Sequence, residues 1–158
     1  MITFAHTNII TDDWRRLADF YIKVFGCKPL YPERDLKGTW LDNATAIKGA
    51  HISGIHLALP GYGGPLPTLE IFQYDSTIQS QLSQPNRKGF GHIAFKVDKI
   101  DEILELVLAN GGTAVGELVK TEIPNVGFIT FIYVRDSDGN IIELQNWKDQ
   151  NAGANTTS

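Results

Sequence analysis

The stretch GHIAFKVDKIDEILELVLANG, from Gly91 to Gly111, predicts a β-strand followed directly by an amphipathic helix. The β-branched and aromatic residues of GHIAFKV favour a strand. Asp98 is a suitable helix cap, and Asn110 with Gly111 ends the helix. The apolar positions of this helix recur at helical spacing: Ile100, Ile103, Leu104, Val107 and Leu108. His92 stands out, because it places an imidazole in a strand that is otherwise apolar.

Three further strands are predicted after this helix: TAVGELVKT, GFITFIYVR and NIIELQNW. The segment DSDGN joins the last two, and its Asp138-Gly139 pair is a strong hairpin signal. The second half of the chain is therefore expected to run strand, helix, strand, strand, strand.

The first half predicts the same order of elements. ITFAHTNII (residues 2–10) reads as a strand, Thr11 is expected to cap a helix, and Gly26 ends that helix. The core face of the helix is predicted from its helical spacing: Trp14, Leu17, Tyr21, Val24 and Phe25. Weaker strand signals follow at residues 38–43 and 50–60, then a loop, PGYGGPLP, and a clear strand, TLEIFQY, at residues 68–74.

Histidine and glutamate recur at matching places in these two halves. His6 and His92 lie in the first strand of each half, and Glu70 and Glu143 lie in the last strand. Strand alternation places each glutamate on the sheet face opposite the main core. A buried carboxylate is costly, and a divalent cation offsets that cost while also binding neutral imidazole. The duplication therefore points to one metal site.

Composition sets the limits on other functions. The chain has 158 residues, a net charge of −4 and one cysteine, Cys27. A single domain built of two similar halves fits this length, and the negative charge gives no reason to expect nucleic acid or an anionic membrane as a partner. No apolar run is long enough to span a bilayer, and MITFAHT lacks the features of a signal peptide. A cytoplasmic location is expected.

The chain resembles the vicinal oxygen chelate superfamily, which includes glyoxalase I, methylmalonyl-CoA epimerase, extradiol dioxygenases and the bleomycin and fosfomycin resistance proteins. The segments that carry the resemblance are FAHTNIIT, LADFYIKVFGCKPL, LEIFQY, GFGHIAFKVDKID and VRDSDGNIIELQNW. It implies an α+β fold in which two βαβββ modules form a cupped mixed sheet around a central metal. Residues 1–148 would form this domain, with modules at 1–76 and 89–148, a linker at 77–88 and a frayed tail at 149–158.

The resemblance also implies a site and a reaction. The metal ligands would be His6, Glu70, His92 and Glu143, holding one divalent ion among nickel, cobalt, zinc, manganese and iron. The implied activity is that of an isomerase or lyase of the glyoxalase I or epimerase type. Such enzymes transfer a proton next to a metal-bound carbonyl through an enediolate-like intermediate, with Glu143 and Glu70 as the catalytic carboxylates.

Two other members of the superfamily remain alternatives. One is a metal-independent ligand-binding protein of the bleomycin resistance type, and the intact set of four ligands argues against it. The other is an extradiol ring-cleaving dioxygenase, which resembles the two-histidine, one-carboxylate iron site, and Glu70 would fill a position that such a site leaves open.

The substrate is expected to be a small molecule bound on the pocket face of the strands. The candidate substrate-binding residues are Asn8, His56, Phe72, Tyr74 and Gln145. Their nearly uncharged, aromatic character suits a small carbonyl or aryl compound. Ile10 occupies the position at which glyoxalase I has an arginine for glutathione, so glutathione dependence is in doubt. A homodimer is expected, because family members commonly pair through their sheets or exchange modules.

Overall fold

A computed structural model describes residues 1–148 of the chain, and the predicted frayed tail at 149–158 lies outside the described residues. The chain forms two compact units, the first spanning Met1–Gln81 and the second beginning at Leu82. Within residues 1–148 they contain two β-sheets and three helices. The α+β class is therefore confirmed, while the module bounds of 1–76 and 89–148 and the central metal stay predictions.

The first unit contains a four-stranded sheet in the order β1-β4-β3-β2. Strand β1 runs parallel to β4, and the other neighbours are antiparallel. The βαβββ order is present, with one additional short helix between its second and third strands. The elements of the first unit are β1 (His6–Ile10), α1 (Trp14–Phe25), β2 (Lys28–Lys37), α2 (Thr39–Thr45), β3 (His51–Ala58) and β4 (Thr68–Tyr74).

Helix α1 supplies the main core of the first unit by packing on β3 and β4. The buried residues on its apolar face are Trp14, Leu17, Ala18, Phe20, Tyr21 and Val24. Gly26 ends the helix in the left-handed conformation (φ 67°), as predicted. The predicted cap at Thr11 is wrong by two residues: the Asp13 carboxylate accepts the Arg16 N–H, and the Thr11 hydroxyl accepts the N–H of Asp13 instead.

Residues 28–45 contain one strand that the sequence did not predict and one helix where it predicted a strand. Strand β2 gave no sequence signal because it is an edge strand with mostly polar residues and two prolines, Pro29 and Pro32, so it lacks apolar alternation. The strand predicted at residues 38–43 is helix α2, which buries only Leu41. The Asp42 carboxylate accepts the N–H groups of Gly49 and Ala50, which fixes the following loop against this helix.

The second unit repeats the sheet order of the first. Its strands run β5-β9-β8-β6, with β5 parallel to β9, and β7 also pairs with β8. Helix α3 packs on β8 and β9, over a core that includes Val107, Ile132, Val134, Ile142 and Leu144. The elements are β5 (Ile93–Lys96), α3 (Ile100–Ala109), β6 (Thr113–Ala114), β7 (Val119–Ile123), β8 (Gly127–Arg135) and β9 (Ile141–Lys148).

Three boundaries in the second unit differ from those predicted. Lys99 is the N-cap of α3 and no side chain caps the helix, so the predicted cap at Asp98 is wrong. Strand β5 begins at Ile93, which places His92 just before the strand rather than within it. TAVGELVKT is broken into β6 and β7, because a bend around Gly116 interrupts it. The DSDGN turn is confirmed, with the Gly139 N–H donating to the Asp136 carbonyl.

No helix within residues 1–148 is both long and apolar enough to cross a membrane.

Gly54 allows β3 and the side chain of Phe72 to approach closely. Gly54 of β3 and Phe72 of β4 are directly paired. A Cβ atom at position 54 would overlap the Ile71 carbonyl oxygen and lie 2.5 Å from a ring carbon of Phe72. The absence of a side chain at Gly54 therefore determines where the Phe72 ring lies.

Gly54→Ala is expected to destabilise the protein, because backbone atoms cannot move aside as a flexible side chain would. The free energy of unfolding should fall by about 3 kcal/mol, the upper part of the range for overpacking. Urea unfolding measures this. Gly63→Ala is the control, since a Cβ there meets no atom within 4 Å, and equal losses for the two variants would contradict the packing argument.

His51, at the start of β3, contacts Asp35 of β2 and Asp75, the residue that follows β4. Its Nε2 lies 2.6 Å from an Asp35 oxygen and its Nδ1 lies 2.9 Å from an Asp75 oxygen. The hydrogen bonds with Asp35 and then Asp75 raise the pKa of His51 above its ordinary value of 6.5. A raised pKa means that this stabilisation is complete below the unfolded pKa and is lost as pH rises through the folded pKa.

His51→Gln is therefore expected to destabilise the protein more at pH 6 than at pH 8.5. Urea midpoints of wild type and variant at the two pH values measure the difference. Asp35→Asn is the matched control, because it removes the charge of the carboxylate that lies nearest to His51. It should therefore reduce the same pH dependence of stability. An identical loss at both pH values would contradict the role given to the charged imidazole.

Candidate functional site

Glu70 is a buried carboxylate at the centre of the first sheet, with 9% of its surface exposed. Strand register places Asn8 of β1 on one side of it and His56 of β3 on the other. Directly paired residues point to the same face of a sheet, so the three side chains meet. Asn8 Nδ2 donates to Glu70 Oε2 at 3.2 Å, and His56 Nε2 lies 3.2 Å from Oε1.

His6 and Thr68 complete this cluster. His6 Nε2 lies 3.4 Å from Glu70 Oε2, and its side chain is about half exposed at the start of β1. The hydroxyl of Thr68, itself buried, lies 3.4 Å from His56 Nδ1. Burial lowers the pKa of His56; nearby Glu70 opposes that shift, and Arg34 and His6 add to it. The cluster therefore favours a neutral imidazole beside the carboxylate.

The second unit contains a related pair on its own sheet. His92 Nε2 lies 3.0 Å from Glu143 Oε2, and the Glu143 side chain is 14% exposed. Tyr133 of β8 is paired directly with Glu143, and its ring centroid lies 5.1 Å from that of His92. Burial, and then the charge of Glu143, raise the pKa of Tyr133. Each unit thus brings one of the predicted histidines against one of the predicted glutamates.

The candidate substrate-binding residues fall into different settings. Asn8 and His56 contact Glu70, and the ring of Phe72 lies edge-on to that of His56 at 5.5 Å. Tyr74 packs instead against a small apolar cluster made by Leu36, Leu41, Ala50, Ile52 and Phe72. The side chain of Gln145 accepts a hydrogen bond from the indole of Trp147.

The donor chemistry of the predicted ligands fits a divalent metal, since imidazole nitrogen and carboxylate oxygen are common ligands for such ions. Across residues 1–148, however, no group of three or more His, Cys, Asp or Glu side chains is arranged to hold a metal ion. The pairs His6–Glu70 and His92–Glu143 are formed within their units. The four-ligand set stays a prediction.

Sequence reasoning missed the direct contacts that surround the two glutamates. His56 was assigned to substrate rather than to Glu70, and Thr68 was given no role at the site. The cross-strand register could have revealed His56, because pairing GIHLA with TLEIF in antiparallel order places the imidazole opposite Glu70. That register depends on the conformation of the long loop between β3 and β4, and the sequence does not predict this conformation.

Cys27 is not part of either cluster. It is 2% exposed, and burial raises the pKa of its thiol to about 11. A thiol with these properties is a poor nucleophile near neutral pH.

The sheet order and these clusters can be compared with known proteins. The family model of the Glyoxalase/Bleomycin resistance protein/Dioxygenase superfamily matches residues 3–144. The chain belongs to this superfamily. A search of the curated proteins gives no significant match. The resemblance recognised in the sequence is therefore confirmed at the level of the superfamily.

Solved structures of this superfamily share the fold. A glyoxalase family protein from Bacillus cereus is 18% identical, with a TM-score of 0.80 over 93% of this chain and 95% of that one. The trypanothione-dependent glyoxalase I of Leishmania major is 22% identical, with a TM-score of 0.61 over 92% and 87%. A fosfomycin resistance protein from Listeria monocytogenes is 18% identical, with a TM-score of 0.56 over 94% and 93%. At these identities the likeness concerns the fold alone.

Proposed function

We propose that this superfamily member is a metal-dependent isomerase or lyase of the glyoxalase I or epimerase type, which moves a proton next to the carbonyl group of a small substrate. The observation that carries the proposal is the repeated pairing of one histidine with one largely buried glutamate, His6 with Glu70 and His92 with Glu143. Burying a carboxylate is costly unless it is paired, hydrogen-bonded or bound to a metal ion, and one divalent ion would offset this cost for both glutamates.

The four residues would hold one divalent ion, among nickel, cobalt, zinc, manganese and iron. When bound, the ion would supply Lewis acidity toward the substrate carbonyl. The imidazoles of His6 and His92 are suited to bind it in their neutral form, and the carboxylates of Glu70 and Glu143 would balance its charge.

The chain's own residues suggest a division of labour for proton transfer. Both oxygens of Glu70 have donors, Asn8 at Oε2 and His56 at Oε1. In the described part of the second unit, Glu143 is contacted through Oε2 by His92, and Oε1 has no hydrogen-bond partner. Glu143 is therefore the better candidate to accept and return a proton, with Glu70 as the alternative.

The substrate is proposed to be a small carbonyl or aryl compound. Asn8, His56 and Phe72 would contact it in the first unit, with Tyr74 and Gln145 as further candidates. The rings of His56 and Phe72 lie edge-on at 5.5 Å and would offer such a compound a contact surface beside Glu70. Ile10 offers no charge for an anionic cofactor such as glutathione.

A metal-independent binding protein is the second candidate function. The superfamily includes bleomycin resistance proteins. Such a protein would bind its ligand equally well with and without a divalent ion. Metal dependence therefore separates the two functions.

A metal titration of the purified, metal-free protein tests the proposal. One equivalent of zinc, cobalt, nickel, manganese or iron should bind per chain, and His92→Ala should weaken binding because a ligand is lost. Glu143→Gln should keep much of the affinity, because the amide retains one oxygen, but turnover should fall by at least about 10²-fold, since the amide accepts no proton.

Exchange of solvent deuterium into the acidic carbon of the substrate, once it is found, reports proton abstraction directly. A Glu143→Gln enzyme with wild-type exchange would move the role of base to Glu70. Full turnover by the metal-free protein would refute metal dependence, whereas ligand binding that needs no metal and leads to no turnover would favour the binding function.

A homodimer in the cytoplasm is also proposed. Strands β1 and β5 each form an edge of their own sheet, and edge strands favour further pairing. Light scattering at micromolar protein concentration measures the oligomeric state, and a monomer at that concentration would refute the proposed homodimer.

A further inference from the structure

The two glutamates lie at equivalent positions but have different neighbours. Glu70 is paired with Asn8 on the parallel strand and with His56 on the antiparallel strand. Glu143 is paired in the same manner with Ala94 and Tyr133. The duplicated topology thus sets an amide and an imidazole around one carboxylate, but a methyl group and a phenol around the other.

The difference concerns hydrogen-bond donors. Asn8 donates to Oε2 of Glu70 at 3.2 Å, and His56 Nε2 lies 3.2 Å from Oε1, so the carboxylate is held from both sides. In the described part of the second unit, Tyr133 forms no hydrogen bond with Glu143. The Glu143 carboxylate is contacted there by His92, whose ring also lies near that of Tyr133. Among residues 1–148, Glu70 is therefore the one of the two glutamates that is held by hydrogen bonds from residues outside the predicted ligand set.

The geometry also selects one tautomer of His56. A carboxylate has only lone pairs, so the Nε2 atom facing Glu70 must carry the proton. The Nδ1 atom then presents a lone pair, and the buried hydroxyl of Thr68, 3.4 Å away, is placed to donate to it.

We propose that His56 and Asn8 are positioning residues that fix the carboxylate of Glu70 in one orientation, and that Thr68 keeps His56 in the Nε2–H tautomer needed for this. The part of this inference that concerns metal affinity rests on the proposed function. The contacts of Glu70 with Asn8 and His56, and of His56 with Thr68, need no metal ion. Groups that orient a metal ligand by hydrogen bonding are typically worth about 10–100-fold in metal affinity. Glu70 is thereby held through both oxygens, whereas Glu143 is contacted through Oε2 by His92 in the described part of the second unit.

The first test needs no metal and no substrate. Histidine ¹⁵N chemical shifts of the full chain, stripped of metal at pH 7.5, report which ring nitrogen carries the proton. The His56 signals, assigned by their loss in His56→Gln, should show a protonated Nε2 and an unprotonated Nδ1. Shifts averaged between the tautomers, or two protonated nitrogens, would overturn the proposal.

Thr68→Val is the matched perturbation in this experiment, because it keeps the shape of the side chain and removes its donor. The share of the Nδ1–H tautomer of His56 should rise. Thr7→Val is the control, since Thr7 alternates with His6 and Asn8 on β1 and faces the other side of the sheet. An unchanged tautomer in Thr68→Val would remove Thr68 from the proposal.

The second test measures zinc affinity by competition with a chromophoric chelator. His56→Phe should weaken zinc binding by about 10–100-fold, whereas His56→Gln should restore much of the affinity because its amide can still donate to Glu70. Asn8→Ala should also weaken binding. Tyr133→Phe, at the equivalent place in the second unit, should remain close to wild type. Far-UV circular dichroism and urea midpoints confirm that each variant is folded.

The outcomes separate the two proposals. A wild-type chain that binds no divalent ion refutes the metal-dependent function, and the tautomer of His56 then still decides whether Glu70 is positioned as described. Equal losses of zinc affinity in His56→Phe and Tyr133→Phe would overturn the asymmetry between the units. Failure of His56→Gln to bind better than His56→Phe would show that hydrogen bonding to Glu70 is not what His56 provides.

Discussion

The burial of a carboxylate inside a β-sheet is the constraint on which the rest of this structure depends. Glu70 is almost fully removed from solvent on a strand whose other residues are mostly apolar. An ionised group in such a place requires donors, and the neighbouring strands provide them through Asn8 and His56. The sheet register is thus tied to the chemistry of the site, because a slip of one residue would turn these donors to the opposite face.

Duplication of this arrangement gives two solutions to the same problem. Both units present a glutamate from their last strand to a histidine at or near their first, which is the feature that supports a metal site. The flanking positions have diverged, so that one carboxylate is surrounded by polar donors and the other lies beside an aromatic ring. A repeat can in this way keep a common donor set while its halves take different tasks.

The sequence predicted the parts of the structure that have strong periodicity. Helix α1, strand β4 and strand β9 were found because apolar residues recur at the period of their element. Strand β2 was missed because an exposed edge has no buried face to impose alternation, and α2 was misread because its seven residues bury a single side chain. Of the site, the sequence indicated the positions His6, Glu70, His92 and Glu143, whose role as a single set of metal ligands stays a prediction. The contacts of His56 depend on strand pairing across the loop between β3 and β4, whose conformation the sequence does not predict.

The parallel pairing of β1 with β4 has a consequence for how the site comes into being. Asn8 and Glu70 are 62 residues apart in the chain. Helices α1 and α2 and strands β2 and β3 all lie between the two strands that carry them. Closing so long a loop costs entropy before any contact repays it, so non-local strand pairs make folding slow. The same contact that satisfies the buried carboxylate therefore closes the unit, and a partly folded chain lacks the arrangement that the chemistry requires.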